Sequence, residues 1–515
     1  DGGLDGGYSS QPGPVPLDNV EQWVSFDPFS IQEYQTETVS NPTSADPIDM
    51  QTGFFLLSKA DLTVGSGLTF ERSYNSGMTG QDLGMGPGWG HNLGGSITRT
   101  TRAFSQLGTR TLVDLAPLMV LAYVSRDLYP ALVSCHGHYD CDTLNDDLVG
   151  HMAMVLMQKW FTDQLTDNAV VAKLGQASYE FIRLPDGSFV PPPGIRSDLL
   201  AQPDGTFVLS ERHGPDAIFD ADDRLVTVVE PRGSMTHFEY DDEGRALKVT
   251  GPYGESLSVT YEGTRLTAVS DNTERSVSYT YTDDQLTGVS DASGALWTYG
   301  YDAEQHMTTL ADPTGQVTAT NVYDALHRVT TQTTPRQTGE ATYTFLWTEF
   351  RTAERGPEGR DTVYHYDEKG RQTAVVNSQG GTKRRAYDSQ NHVVEGTNAI
   401  GQTWFTEYNS THDIIREVDP AGRQALFGYD DAHHLVSSTN PAGQETTYTV
   451  NEFDEVIAER DAAGIETFVS YDARGRPEAM TDQLGLVTRR TYDALGFPET
   501  TQLKDDAPVT YDYDA

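Results

Sequence analysis

Residues Asp461 to Tyr492 read D-A-A-G-I-E-T-F-V-S-Y-D-A-R-G-R-P-E-A-M-T-D-Q-L-G-L-V-T-R-R-T-Y. Three times in this stretch an Asp is followed three residues later by Gly: Asp461/Gly464, Asp472/Gly475 and Asp482/Gly485. Asp suits the first position of a tight turn because its carboxylate accepts backbone N–H bonds. Gly supplies the left-handed backbone that closes a four-residue loop. The runs between turns are about six residues long, rich in Val, Thr, Tyr and Phe, and often alternate, which predicts strands. The unit is therefore strand, turn, strand, turn.

That unit recurs. Tyr366, Tyr387, Tyr408, Tyr429, Tyr471, Tyr492 and Tyr513 lie about 21 residues apart, with Val450 in the one gap. Upstream the register continues through Tyr240, Tyr261, Tyr281, Tyr301 and Tyr323; Phe345 takes the next place and Phe219 begins the series. This amounts to about fifteen copies over about 300 residues. A lone hairpin is unstable in water, so neighbouring copies must pair. About 30 strands at about 4.8 Å would make a ribbon near 140 Å wide, and strand twist forbids it from lying flat. The expected fold is all-β: a long antiparallel hairpin ribbon coiled into a spiral hollow shell, one turn of which would enclose a space about 40 Å across. The Tyr rings are expected to stack repeat on repeat and fill one sheet face. A sharper alternative makes them an exposed ladder for sugars.

These residues resemble the RHS or YD-repeat family. The likeness lies in Y-D-x-x-G-R at Tyr366–Arg371 and Tyr471–Arg476, and in D-P-x-G at Asp312–Gly315 and Asp419–Gly422. A second signature runs through Asp46–Gly53, Phe70–Ser76 and Leu83–Trp89, and a third through Leu184–Phe189 with Pro191–Gly194. The resemblance implies a hollow β cocoon that in bacteria encloses a C-terminal toxin or belongs to secreted and wall-associated proteins, and in animals serves adhesion. Toxin-bearing members carry a D-P-x-G-L-type self-cleavage site after the repeats. Here Asp419-Pro420-Ala421-Gly422 is followed by Arg423 and sits inside a repeat. Since a new Tyr-Asp unit begins just before Ala515, the chain is expected to be a piece of a longer protein.

The expected organisation is a flexible tail over 1–40, an N-terminal β domain over 41–100, a helical insertion over 101–175, a β segment over 176–218 and the repeats over 219–515. The insertion is predicted because Leu112–Leu132 and Leu144–Leu165 are apolar at helical spacing. Cys135 and Cys141 lie between these segments. A disulfide is expected in a secreted chain, with zinc binding alongside His136 and His138, or two reduced thiols, as the alternatives.

The 515 residues carry 76 acidic against 35 basic side chains, a net charge of −41. Such a surface repels nucleic acid and anionic membranes. Many Asp residues are accounted for as turn formers, and the remainder leaves room for loosely bound Ca2+. The most apolar run, Leu115–Val124, is about half the length of a membrane span. No G-x-S-x-G, H-E-x-x-H or phosphate-binding loop occurs. The carboxylate pairs Asp241/Asp242 and Asp430/Asp431 read as turn charge, and His91 and His433-His434 as isolated. No catalytic, cofactor or metal site is assigned, and no enzyme is expected.

Two functions fit. One is a secreted shell whose partner is its own C-terminal passenger, such as a toxin. The other is an extracellular structural or adhesive surface protein contacting neighbouring copies or glycans.

Overall fold

A computed structural model describes residues 47–100 and 168–511, except Ser66, Gln176, Pro185, Thr338, Gln483, Leu495 and Asp505. The tail over 1–40, residues 101–167 of the expected helical insertion with Cys135 and Cys141, and Tyr513 lie outside the described residues; the end of the range expected to be helical is instead the strand Ala169–Leu174, which pairs with Gly95–Thr100. Apart from one 3-10 turn at Ser76–Met78, the described residues are all β.

A single continuous antiparallel sheet of 31 strands, wound round like a barrel, dominates. It begins at Ser197–Ala201 and ends at Val509–Thr510, each strand pairing antiparallel with the next in sequence. The ribbon starts before Phe219 because its first strands follow the same turn rule without the Tyr-Asp signature. Two small sheets precede it. Leu56–Val64, Leu68–Asn75 and Trp89–His91 form the first. Gly95–Thr100, Ala169–Leu174, Ala177–Arg183 and Phe189–Val190 form the second.

One repeat explains the motif. Asp367 Oδ1 accepts the N–H groups of Lys369 and Arg371, both at 2.9 Å, and Gly370 follows with φ +79°. Asp367 Oδ2 accepts from Arg371 Nε at 2.7 Å. The Arg371 guanidinium then lies 4.7 Å from the centre of the Tyr387 ring, one repeat on. Tyr387 in turn donates its hydroxyl back to the Gln372 carbonyl at 2.8 Å. In Y-D-x-x-G-R the Asp thus caps the turn, the Gly closes it, the Arg pairs with the Asp, and the Tyr clasps the neighbouring copy. Where Gly is replaced, the same left-handed backbone is held by Gln305, Asn391, His412, His433 and Asp454.

The hydroxyl clasp repeats along the wall. Tyr240, Tyr261, Tyr281, Tyr301, Tyr323, Tyr408, Tyr471 and Tyr492 each donate to a carbonyl 15 or 16 residues upstream. In the copy after Tyr323 the bond comes from Trp347 Nε1, at 2.6 Å to the Val329 carbonyl, with Phe345 stacked on the indole. Phe345 therefore shares the row, but Trp347 makes the link. The strands there, Glu340–Thr348 and Arg351–Arg355, pair without the usual bulge, so the register places a different residue at the clasp. Elsewhere the register slips by one residue just before each Tyr, and before Val450 in its place. A bulge bends its strand and increases twist. A bulge at the Tyr position of nearly every repeat, with one more between Leu310 and Ala311 on the other pairing, coils the ribbon.

Burial pushes the clasping phenols up, to about 12 for Tyr240, Tyr261 and Tyr408. A folded-state pKa raised above the unfolded value of about 10 gives stability that is full below pH 10 and lost as pH rises toward 12. The melting temperature is therefore expected to fall steeply across that window, in step with tyrosinate absorbance. A flat profile would mean that the rings titrate in water.

Candidate functional surfaces: the plug, the wall and the seam

The Tyr face of the wall is its less exposed face even in late copies. In Glu445–Val450 exposure alternates, and Thr446, Tyr448 and Val450 are the half-buried set. From Ala246 to Tyr366 this face is largely apolar and sealed, with Asn321 and Gln332 buried on it and bonded to each other at 2.9 Å. Val249, Leu257, Val269, Leu286, Val289 and Tyr299 pack against Ile48, Met50, Phe55, Phe70, Tyr74 and Trp89 in one core. Residues 47–93 are thus a plug seated on the Tyr face. In later copies the same face carries Thr406, Glu417, Ser438, Thr446 and Glu459, which follow from the cross-strand pairs. Burial pushes the Glu417 and Glu459 carboxyls above their usual range.

The plug is fixed by backbone and by charge. Leu266 N–H donates to the Gly84 carbonyl at 2.9 Å and Val329 N–H to that of Gly53 at 2.8 Å. Met307 N–H donates to the Tyr74 hydroxyl at 2.8 Å. These are three copies of one wall position, the residue that follows the turn. At Gly53 and Gly86 the approach leaves no room for a side chain: a Cβ would stand 2.7 Å from Arg328 Cβ and 2.9 Å from the Asp284 carbonyl. Trp89 Nε1 donates to the Tyr301 hydroxyl at 2.8 Å, its ring 5.1 Å from that of Tyr299. Arg72 is 1% exposed and pairs with Asp61, 7% exposed. Arg72 also donates to the Tyr299 hydroxyl at 2.6 Å, and the Tyr279 hydroxyl donates to Asp61 at 2.8 Å.

The seam is where the coil meets itself. Arg212 donates to the Thr411 carbonyl at 2.7 Å and to Asp413 Oδ1 at 2.9 Å. Arg196 donates to the His412 carbonyl and lies 3.8 Å from Asp413. Arg232 Nε donates to Glu455 at 2.6 Å, and its NH1 to the Asp472 carbonyl at 3.0 Å. Arg474 lies 4.6 Å from the Tyr253 ring centre. Partners are 199 to 240 residues apart. One turn of the coil is thus about 21 strands, with a circumference near 100 Å and a diameter of about 30 Å. That is narrower than the 40 Å expected from the sequence, because the last strands overlap the first turn.

His433 and His434, read as isolated, lie on this seam. His433 Nδ1 is 3.1 Å from Asp413 Oδ2. His434 occupies the place of the motif Arg, with Nδ1 2.8 Å from Asp430 Oδ2, and its Nε2 meets Asp454. Burial would lower its pKa, but the bonds to Asp430 and Asp454 hold it above the ordinary histidine value. His213, from the first turn, stands beside it with ring centres 4.9 Å apart. His306 and His392 replace the motif Arg in the same way, each pairing with its turn Asp and stacking on the next Tyr at 4.6 and 4.2 Å. The substitution is visible in sequence as Y-D-x-x-x-H; the partner across the seam is not.

The clasping Tyr hydroxyls are engaged within the wall, the Tyr366 hydroxyl is buried, and the rings of the row are buried or half-buried, which does not favour an exposed ladder for sugars. Cys135 and Cys141 stand outside the described residues. No helix among those residues is long and apolar enough to cross a membrane.

Residues 217–353 match the family described as Teneurin YD-shell, and residues 429–467 and 471–507 match RHS Repeat. Residues 45–111 match a Domain of unknown function, DUF6531. No curated protein sequence matches the chain. Among solved structures, the TcdB2-TccC3 crystal structure is similar at 14% identity and TM-score 0.40, over 66% of this chain and 22% of that one. A Tc holotoxin pore of Photorhabdus luminescens is similar at 11% identity and TM-score 0.41, over 69% of this chain and 22% of that one. The chain therefore spans about a fifth of the length of these structures.

Proposed function

The chain belongs to the RHS/YD-repeat family, and from that premise we propose that it is the non-enzymatic wall of a secreted container for a passenger encoded beyond the repeats, such as a toxin. The observation that carries this reading is the seam. A sheet whose edge turns bind the turns lying about ten copies later encloses a space. The plug supports it, covering the apolar stretch of the Tyr face and leaving the polar stretch of Glu417, Thr446 and Glu459 to line a lumen. The mechanism is steric. The wall keeps proteases and partners away from the passenger until the container opens.

The experiment is to express the full open reading frame and treat the particles with a broad-specificity protease. Discrete hollow particles by electron microscopy are expected, with any segment beyond residue 515 surviving doses that digest it when made alone. Open ribbons or fibres, or equal digestion in both settings, would overturn the container.

A further inference from the structure

One group among the described residues brings three metal donors together: His213, His434 and Asp454, whose donor atoms all lie within 4.8 Å of one another. We propose that these three side chains bind a divalent transition metal of the zinc class across the seam, tying the first turn of the coil to the second.

The second nitrogen of each ring is already held by an acceptor outside the site. His213 Nε2 is 3.2 Å from the His433 carbonyl. A carbonyl only accepts, so Nε2 carries the proton and Nδ1 is the donor atom turned toward Asp454, 3.5 Å from Oδ1. His434 Nδ1 faces the Asp430 carboxylate at 2.8 Å. That carboxylate holds a proton on Nδ1, so Nε2, which gives its own proton to Asp454 when no ion is bound, is the nitrogen a metal would take, with release of that proton. Histidine ligands usually bind metal with one nitrogen while the other donates to a carbonyl or carboxylate, and both rings here follow that pattern.

The spacing is suitable as well. Zinc at about 2.0–2.1 Å from each ligand places tetrahedral neighbours about 3.3 Å apart, close to the His213–Asp454 separation. His434 and Asp454 now touch, and would part slightly to admit the ion. Two imidazoles and one carboxylate suit zinc-class ions, with water as the fourth ligand.

The donors sit on three separate turns. His213 lies in the Glu211–Gly214 turn, while His434 and Asp454 lie in consecutive Tyr-row turns about 220 and about 240 residues later. His213 and Asp454 hold left-handed backbone, with φ of 58° and 64°. The side chains of His213, His434 and Asp454 are 8%, 13% and 29% exposed, so the ion would be reachable from one side.

The test is calorimetric titration of zinc chloride into the full chain after dialysis against chelator, with the melting temperature followed in parallel. Binding of one ion per chain with a rise in melting temperature is expected, and both should disappear in His213→Ala and Asp454→Ala. Asp430→Asn keeps all three ligands and nearly the same shape; it should weaken binding 10- to 100-fold. It also decides the matter if either alanine variant fails to fold. No zinc binding by the native chain would leave a hydrogen-bonded latch and overturn the proposal. Affinity unchanged in the folded variants would place the ion elsewhere, for instance at Cys135, His136, His138 and Cys141, and would equally overturn it.

Discussion

Arg72→Met is expected to cost about 3–5 kcal/mol and to release the plug from the wall. Arg72 and Asp61 are almost fully buried where the plug meets Tyr279 and Tyr299. Removing the cation leaves an anion in a site that water does not reach, and this lone charge, rather than the lost attraction, dominates the penalty. Burial already pushes the Asp61 carboxyl above its usual range, with Arg72, Tyr279 and Lys59 pulling it back down. Without Arg72 the burial effect goes largely unopposed, so the variant's folded-state pKa rises further. Its deficit is then greatest above that pKa and shrinks as pH falls through it, when Asp61 takes up a proton. Urea melts at pH 8 and pH 5 check this. A deficit below about 1 kcal/mol, or one independent of pH, would mean that the pair is solvated. Replacing both residues with apolar ones of similar size should recover much of the loss.

Asp413→Ala is expected to cost about 2–4 kcal/mol and to open the seam. The Asp413 side chain is 1% exposed and accepts from Arg212, Asn409, Thr411 and His433, with Arg196 close by. Its removal leaves two guanidiniums facing each other with only carbonyls for partners. They retain 15% and 21% exposure, so water moderates the penalty relative to Arg72. Burial raises the Asp413 pKa, but the hydrogen bonds from Asn409 and Thr411 and the two arginines outweigh it and hold it below the usual range. A depressed carboxylate contributes stability above about pH 4 and loses it as pH falls through the folded value. The native and variant proteins should therefore converge in acid. Hydrogen exchange gives the distinguishing signature: protection should drop together around Arg196–His213 and Asn409–His434. Loss confined to the substituted turn would show that the coil is not closed there.

Much of this was legible in the chain because the turn chemistry is local. Asp367, Gly370 and Arg371 interact within five residues, and the Tyr387 clasp reaches only one repeat back, so both appear as short motifs at a fixed period. The clasp at Trp347 was not legible, since it depends on a missing bulge, and bulges leave no mark in composition. His433 and His434 were read as isolated because their company is His213 and Asp413. Arg212 and Asp413 met the same obstacle: each looks like ordinary turn charge until the coil brings them together.

The sequence by itself determined an all-β ribbon of about fifteen hairpins, its turn residues and a row of aromatics on one sheet face, because each follows from backbone preferences and nearest-neighbour pairing that repeat every 21 residues or so. The tertiary structure alone decided the width of the coil, the seat of the plug and the partners across the seam. Coil width is a sum of small bulge-induced bends over about 21 strands. No single residue encodes that sum, and a slight change in each bend would bring different turns face to face.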